Sequence, residues 1–323
     1  MRSLIHRFIP VACAFGAAVS FQAAGQAYPV KPIRALLALG GGGETLARLV
    51  GQKVSESLGQ PLLIEAQPAA TGSIAANTVA RAAPDGYTIL YAATNSQIYR
   101  PFLAKNVPYD PIKDFTPITT LSEAVLVVVV GPSSPIRSMK DLVEQARKDK
   151  GQMFYGTSGV GTTHHLSAEL LQGVAGIKMV HVPYKDAPQV ATEVMTGRVP
   201  VGWSIFGTMY QPHMAGKVRI IAINNTKRFG RAQDIPTIGE QVPGYEPPPG
   251  WNGWFGPAGL PRPIVLRLNA EINKAVMAPD LQDKINALGF IPTPSTPEQL
   301  AEAVKLGLQR TAKLVKAAGI KPE

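Results

Sequence analysis

Between residues 33 and 92 the apolar positions change period several times. Ile33–Leu39 is a nearly unbroken apolar run, which predicts a strand. Leu46, Val50, Val54 and Leu58 then recur every four residues and predict a helix over Glu44–Leu58. Pro61–Glu65 returns to a strand pattern, and Gly72–Ala82 reads as a helix of small residues. Pro84-Asp85-Gly86 turns the chain into a third strand, Tyr87–Ala92. Strands alternating with helices in this way predict a mostly parallel sheet flanked by helices.

A second series begins with the β-branched run Ala124–Val130. Ser138, with Asp141 at the third helical position, predicts a capped helix start. Met153–Tyr155 is a short strand that feeds a Gly/Ser/Thr loop and then a helix with Leu166, Leu170, Leu171 and Val174 on one face. Met179–Pro183, Val199–Ile205 and Val218–Asn224 read as strands, with a helix at Gln189–Thr196. Proline and glycine dominate from Pro236 to Pro263, where Trp251 and Trp254 suit core or hinge packing better than ligand stacking. Three helices close the chain: one striped by Ile264, Val265, Leu268, Ile272 and Val276, one over Leu281–Leu288, and one from Thr296, Pro297 and Gln299 to Gly319. Two α/β units with a helical tail returning to the first predict two lobes, residues 28–127 plus 253–323 and residues 128–252.

The first 27 residues stand apart. Arg2 and Arg7 precede a 14-residue apolar run from Phe8 to Phe21, and Gly25-Gln26-Ala27 supplies small residues at cleavage positions. This is the layout of a cleaved secretory signal, with the run too short to span a membrane. Cleavage near Ala27 removes Cys13, the single cysteine, and with it any disulfide or thiolate chemistry. The segment holds two Arg and no acid, so the remaining chain keeps 30 Lys and Arg against 22 Asp and Glu, a net charge of +8. That excess can draw in anions, although general surface charge is the simpler reading of it. The basic residues are scattered rather than clustered with aromatics, which argues against nucleic-acid binding.

In open α/β sheets ligands bind beyond the carboxyl ends of the strands. The loops expected there are Gly40, Gly41, Gly42, Gly43 and Glu44 after the first strand, and Ala69–Ser73 after the second. Thr94, Asn95 and Ser96 follow the third, and Gly156–Thr163 lies in the second unit. The last of these feeds a helix N-terminus, which offers free N–H groups and a positive dipole end to an anion. It falls short of two catalytic motifs. A nucleotide-binding loop needs Lys where Thr162 stands. A nucleophile elbow needs Gly where Val160 stands. A secreted hydrolase using Ser158 with His164 or His165 is the alternative in which this loop is catalytic. His164 and His165 are adjacent and cannot share a helical face, so first-turn packing or capping suits them better than metal binding. No cofactor or metal is expected.

Several segments carry a family resemblance. They are Tyr28-Pro-x-Lys-Pro-Ile-Arg34, Ala83-Pro-Asp-Gly-Tyr-Thr88, Pro108-Tyr-Asp-Pro-x-Lys-Asp-Phe115, Tyr155-Gly-x-Ser-Gly-x-Gly161, His165-Leu166, His181-Val-Pro-Tyr-Lys185, Pro236-Thr237, Trp254-Phe-Gly-Pro-Ala-Gly259 and the closing Lys-Ala-Ala-Gly-Ile320. In this order, along the whole mature chain, they resemble the tripartite tricarboxylate transporter receptors, or Bug-type binding proteins. The resemblance implies a periplasmic, two-lobed binding protein of type II, a Venus flytrap. It implies no enzymatic activity, a small carboxylate as ligand, and a membrane permease as partner, with the receptor acting as a monomer. A bilobed sensor for a membrane signalling partner fits the same sequence. The family's ligand loops, carried over, are Gly40–Glu44; Ala70, Thr71, Gly72 and Ser73; Thr94, Asn95 and Ser96; Ser158, Gly159, Gly161, Thr162 and Thr163; and Lys185, Asp186 and Ala187, with Ser204 at a strand end. Gly40–Glu44 is expected to be the jaw opposing the Gly156–Thr163 loop. It is also atypical: Leu36-Leu37-Ala38-Leu39-Gly40-Gly41-Gly42-Gly43-Glu44 stands where the family usually has Pro-Phe-x-Pro-Gly-Gly-Gly-Ser-Asp. Lys185-Asp186 stands for Lys-Gly, and Trp203-Ser204 for a frequent Phe-Asp, so Ser204 cannot ion-pair an ammonium group.

Overall fold

The computed structural model of the chain describes residues 28–318. The expected signal segment, with Cys13, and the expected helix stop at Gly319 lie outside the described residues. Among the described residues eleven strands run in chain order as β1 (Ile33–Leu37), β2 (Leu62–Ala66), β3 (Thr88–Ala93), β4 (Phe115–Ala124), β5 (Leu126–Val130), β6 (Phe154–Thr157), β7 (Val180–Pro183), β8 (Val201–Ile205), β9 (Arg219–Ile223), β10 (Trp251–Pro257) and β11 (Phe290–Pro292). They form two sheets, ordered β11-β4-β10-β3-β1-β2 and β7-β6-β8-β5-β9. Each sheet with its helices is one lobe of an α/β fold.

The sheets are mixed, which corrects the expectation of mostly parallel ones. β1 pairs in parallel with β2 and β3, and β6 with β7 and β8. The remaining pairs, β10 with β3 and β4, β11 with β4, and β5 with β8 and β9, are antiparallel. The βαβ units are readable from their period, whereas the antiparallel direction of the other pairs is set by long-range pairing that no local period announces. β10 lies wholly in the Pro/Gly-rich stretch and is buried at all seven positions. The run read as Ala124–Val130 is cut at Val125, where the chain leaves one sheet for the other.

The helical stripes pack as their spacing requires. Leu46, Val50, Val54 and Leu58 are buried in the helix Gly42–Leu58, against β1 and the helix Arg262–Val276. In the helix Thr163–Ala175, Leu166 and Leu171 are buried, while Val174 of the expected stripe is 42% exposed. Apolar clusters cover both faces of each sheet. Trp254 is fully buried in one first-lobe cluster and Trp251 nearly so in another, as the packing reading expected.

The crossing between lobes is narrow. Val125 alone separates β4 from β5; its N–H donates to the Gly289 carbonyl of the first lobe and its carbonyl accepts from Phe206 of the second, both at 2.8 Å. Asn225 fastens the return: its Nδ2 donates to Glu123 at 2.7 Å and to the Ala124 carbonyl at 3.0 Å. The expected boundaries at 127/128 and 252/253 each fall inside a strand, β5 and β10. Among the described residues no helix is long and apolar enough to cross a membrane.

Candidate functional site

Three first-lobe loops sit at the carboxyl ends of β1, β2 and β3. After β1 the helix starts at Gly42, two residues before the expected Glu44. Its N-cap, Gly41, has φ 63° and ψ −134°, a region open in practice to glycine alone. No side chain caps this end, so its first N–H groups keep their capacity for a ligand. Glu44 stands in the first turn, and Arg48 on the same helix donates to it at 2.7 and 3.0 Å. The carboxylate is thus paired within its own helix rather than left as a lone negative charge at the loop.

The second loop is a 3₁₀ turn, Ala69–Gly72, leading into the helix Ser73–Ala80. Thr71 has φ 55°, a left-handed conformation costly for a β-branched residue. Gly72 follows at φ 81°, and a Cβ there would lie 2.3 Å from the Ala38 carbonyl oxygen. The backbone of the second loop therefore rests directly on the end of the first. Ser73 is buried, and its Oγ has no hydrogen-bond partner.

The third loop is a π-helical turn over Asn95–Tyr99, a form that recurs at functional sites. It carries a contact between the lobes. Asn95 Oδ1 accepts from the Thr163 N–H at 3.1 Å and from the Thr163 hydroxyl at 2.9 Å. Thr94 Oγ1 is 3.4 Å from Thr163 Oγ1. Tyr99 on the same turn donates to the Pro249 carbonyl. Ser96 is buried; its hydroxyl donates to the Ala93 carbonyl at 3.3 Å and its own carbonyl accepts from Tyr109 at 2.7 Å. Thr94 and Asn95 are thus first-lobe residues that meet the second-lobe loop.

In the second lobe, β6 ends at Thr157 and the helix begins at Thr163. Gly159 and Gly161, at φ 120° and 73°, turn the loop between them. Thr162 is the N-cap: its Oγ1 accepts from the His165 N–H at 3.3 Å and donates to the Gly159 carbonyl at 2.8 Å. Thr157 Oγ1 lies 2.7 Å from His181 Nε2 and accepts from the Gly159 N–H at 3.2 Å. The Gly161 N–H donates to His165 Nδ1 at 3.3 Å. His165 and His181 stack at 4.1 Å, and Tyr155 stacks on His181 at 5.0 Å. These rings form a buttress behind the loop. Burial, with a smaller push from His165, drives the His181 pKa down to about 3, so the buttress ring is neutral at neutral pH.

Ser158 Oγ and His164 Nδ1 lie 2.6 Å apart. This is the pair that a hydrolase would use, but its chemistry is wrong. Burial pushes the His164 pKa down to about 4, against a smaller opposite pull from the Ser204 backbone. An imidazole that acidic is a poor general base at neutral pH. No carboxylate is among the partners of His164, so none orients the ring as a triad requires. The pair instead fixes the Ser158 hydroxyl within the loop.

Lys185, Asp186 and Ala187 adjoin this loop through Tyr184, whose N–H donates to the Thr157 carbonyl at 2.8 Å. Asp186 caps the helix Ala187–Met195, accepting from the Gln189 N–H at 2.9 Å, and the Lys185 N–H donates to Gln189 Oε1 at 2.9 Å. Ser204, near the end of β8, is fully buried and its hydroxyl has no partner. Two surface hollows, of about 310 and 440 Å³, lie elsewhere, one beside Lys140, Arg147 and Val174 and one beside Arg48, Ser55 and Leu63. No expected binding residue lines either. Sequence reasoning placed His164 in first-turn packing or capping but missed Tyr109 and His181 as supports of the loops. The histidine in β7 was the signal available for the latter.

A family model described as tripartite tricarboxylate transporter family receptor matches residues 46–320. The match begins just past Gly40–Glu44. The solved structure of R. palustris Rpa4515 with adipate is 30% identical, covers 92% of this chain and 100% of its own, and superposes with a TM-score of 0.84. The periplasmic binding protein BugD is 28% identical, covers 92% of this chain and 100% of its own, with a TM-score of 0.80. MatC from Rhodopseudomonas palustris with bound malate is 27% identical, covers 89% of this chain and 100% of its own, with a TM-score of 0.79.

Proposed function

The chain belongs to the tripartite tricarboxylate transporter receptor family, and from that premise we propose that it captures a small carboxylate between its lobes and delivers it to a membrane permease of the tripartite type. Proteins of this family are receptors, not enzymes, and they include periplasmic binding proteins. Export of this chain with cleavage near Ala27, action as a monomer, and a lobe exchange at Val125 and again between β9 and β10 belong to the same reading.

The observation that carries the reading is the contact of Asn95 with Thr163. It brings a first-lobe loop onto the N-terminus of a second-lobe helix, where N–H donors and the dipole favour an anion. The ligand residues we assign are Gly40–Glu44, Ala70–Ser73, Thr94–Ser96, Ser158, Gly159, Gly161–Thr163, Lys185–Ala187 and Ser204. Their neutral donors can hold a carboxylate without a buried ion pair, since backbone N–H groups and hydroxyls stabilise the charged form. A ligand touching both lobes favours their closure; one touching a single lobe does not.

Titration calorimetry against mono-, di- and tricarboxylates tests the reading. One-to-one binding of at least one carboxylate is expected. Absence of binding across the series, by calorimetry and by thermal shift, would refute it.

A further inference from the structure

Leu166 is buried outside the core of its own lobe. On the helix Thr163–Ala175 it stands five residues before Leu171, about 140° away around a helix of 3.6 residues per turn. Leu171 and Ala168 pack into the second-lobe core with Tyr155 and Trp203. Leu166 lies on another face of the helix and is 1% exposed. Its apolar cluster is a first-lobe one, with Tyr99, Leu103, Trp251, Leu300 and Val304.

The loop before that helix makes a contact of the same kind. A Cβ on Gly161 would lie 3.2 Å from Leu103 Cδ1, so the loop backbone rests on the Leu103 side chain. The helix Pro297–Ala318, which carries Leu300 and Val304, packs against the helix Thr163–Ala175. Near the chain crossing at Val125 the lobes meet differently. There a Cβ on Gly207 would lie 2.3 Å from the Leu288 carbonyl oxygen, so backbone meets backbone. One seam is therefore main chain on main chain, beside the crossing strands, and suits a pivot. The other is made of apolar side chains.

We infer that Leu166 and Leu103 form an apolar latch that holds the lobes together about the Gly207–Leu288 pivot, so that the protein's own contacts favour closure whether or not a ligand is bound. Opening the lobes would return the Leu166 side chain to water, and apolar burial resists that. Leu166 is thus a positioning residue, acting through the arrangement of the lobes. A ligand meets a receptor whose competent form is already populated, and the latch scales the affinity for every ligand by one common factor.

Residues 28–323 contain no cysteine, so Glu56→Cys and Lys148→Cys, exposed helix positions with one on each lobe, take up spin labels at those two sites alone. Pulsed electron–electron resonance on the labelled mature protein, with no ligand added, reads the ratio of closed to open molecules. Wild type should show a closed population at the distance of this structure, and Leu166→Ala should lower the closed-to-open ratio by about tenfold or more. Leu166→Met, which nearly keeps the volume, should restore most of it. An unchanged distance distribution in Leu166→Ala, or a wild type with no closed population, overturns the latch. Should Leu166→Ala fail to fold, Leu103→Ala decides: a lowered ratio supports the latch and an unchanged one overturns it. Calorimetry with succinate and adipate adds a second reading. A fall in affinity by one common factor supports the latch, and an unequal fall assigns Leu166 to the ligand site and overturns it. The distances are read without ligand, so the latch can fail while the receptor reading stands, and the reverse.

Discussion

Asn95→Ala removes the amide oxygen that accepts from both the Thr163 N–H and the Thr163 hydroxyl across the lobes. Each of the two bonds contributes about 0.5–1.5 kcal/mol net, so their loss takes about 1–3 kcal/mol from the arrangement in which the lobes touch. The lower end applies if water reaches the freed Thr163 N–H. Apparent affinity scales with the fraction of molecules in the binding-competent state. Where that fraction is small, the substitution should weaken carboxylate binding by about 5- to 150-fold. Neither lobe's core is touched, so the unfolding temperature without ligand should move little. Titration calorimetry beside thermal unfolding separates the two effects. Unchanged affinity would mean that the contact plays no part in closure. Tighter binding would mean that Asn95 competes with the ligand for the helix N-terminus, and the reasoning would be reversed.

Other perturbations test other parts of the account. Gly72→Ala places a Cβ against the Ala38 carbonyl at φ 81°; it should cost about 2–4 kcal/mol of stability in denaturant unfolding, and a neutral result would show that the two loops can separate freely. Ser204→Asp buries a carboxylate where the hydroxyl is fully enclosed; carboxylate affinity should fall by about tenfold or more in calorimetry, and an unchanged value would remove Ser204 from the site. His164 and His181 have pKa values lowered to about 4 and about 3 by burial. Both are neutral when folded, while the unfolded chain takes up their protons below about 6.5, so their contribution is complete above that pH and is lost as pH falls towards 4. The denaturation midpoint should therefore drop between pH 7 and 4.5, before carboxylates such as Glu240, held down at about 2, lose their charge. In the variant His164→Asn with His181→Asn the drop should shrink; an equal drop would assign it to other groups.

The parts of the fold with a local period were legible. The four-residue stripe of Leu46, Val50, Val54 and Leu58 and the capping pair Thr296–Gln299, found at 2.9 and 3.2 Å, needed no tertiary information. β10 was not legible, because Trp251–Pro257 is buried on both faces and so rich in glycine and proline that it has no alternation to read. The cut at Val125 was hidden for a related reason: one apolar run serves two sheets, and only long-range pairing divides it. At the site, the Gly156–Thr163 loop could be read because glycines, hydroxyls and a helix start are local signals. That it meets Asn95 is set by how the lobes pack. The histidine buttress depends on the pairing of β6 with β7, which brings His181 beside Tyr155. Leu166 looks in sequence like one more member of its helical stripe; burial in a first-lobe cluster is what sets it apart.

Closure of the two lobes on a small carboxylate is put to the test by calorimetric titration of the mature protein with dicarboxylates. One-to-one binding of at least one of them is expected, with a thermal stabilisation that grows with ligand concentration as mass action requires, about 2.7 kcal/mol at a hundredfold excess over Kd. No heat of binding and no shift in unfolding temperature at millimolar concentrations of every dicarboxylate, monocarboxylate and tricarboxylate would contradict it.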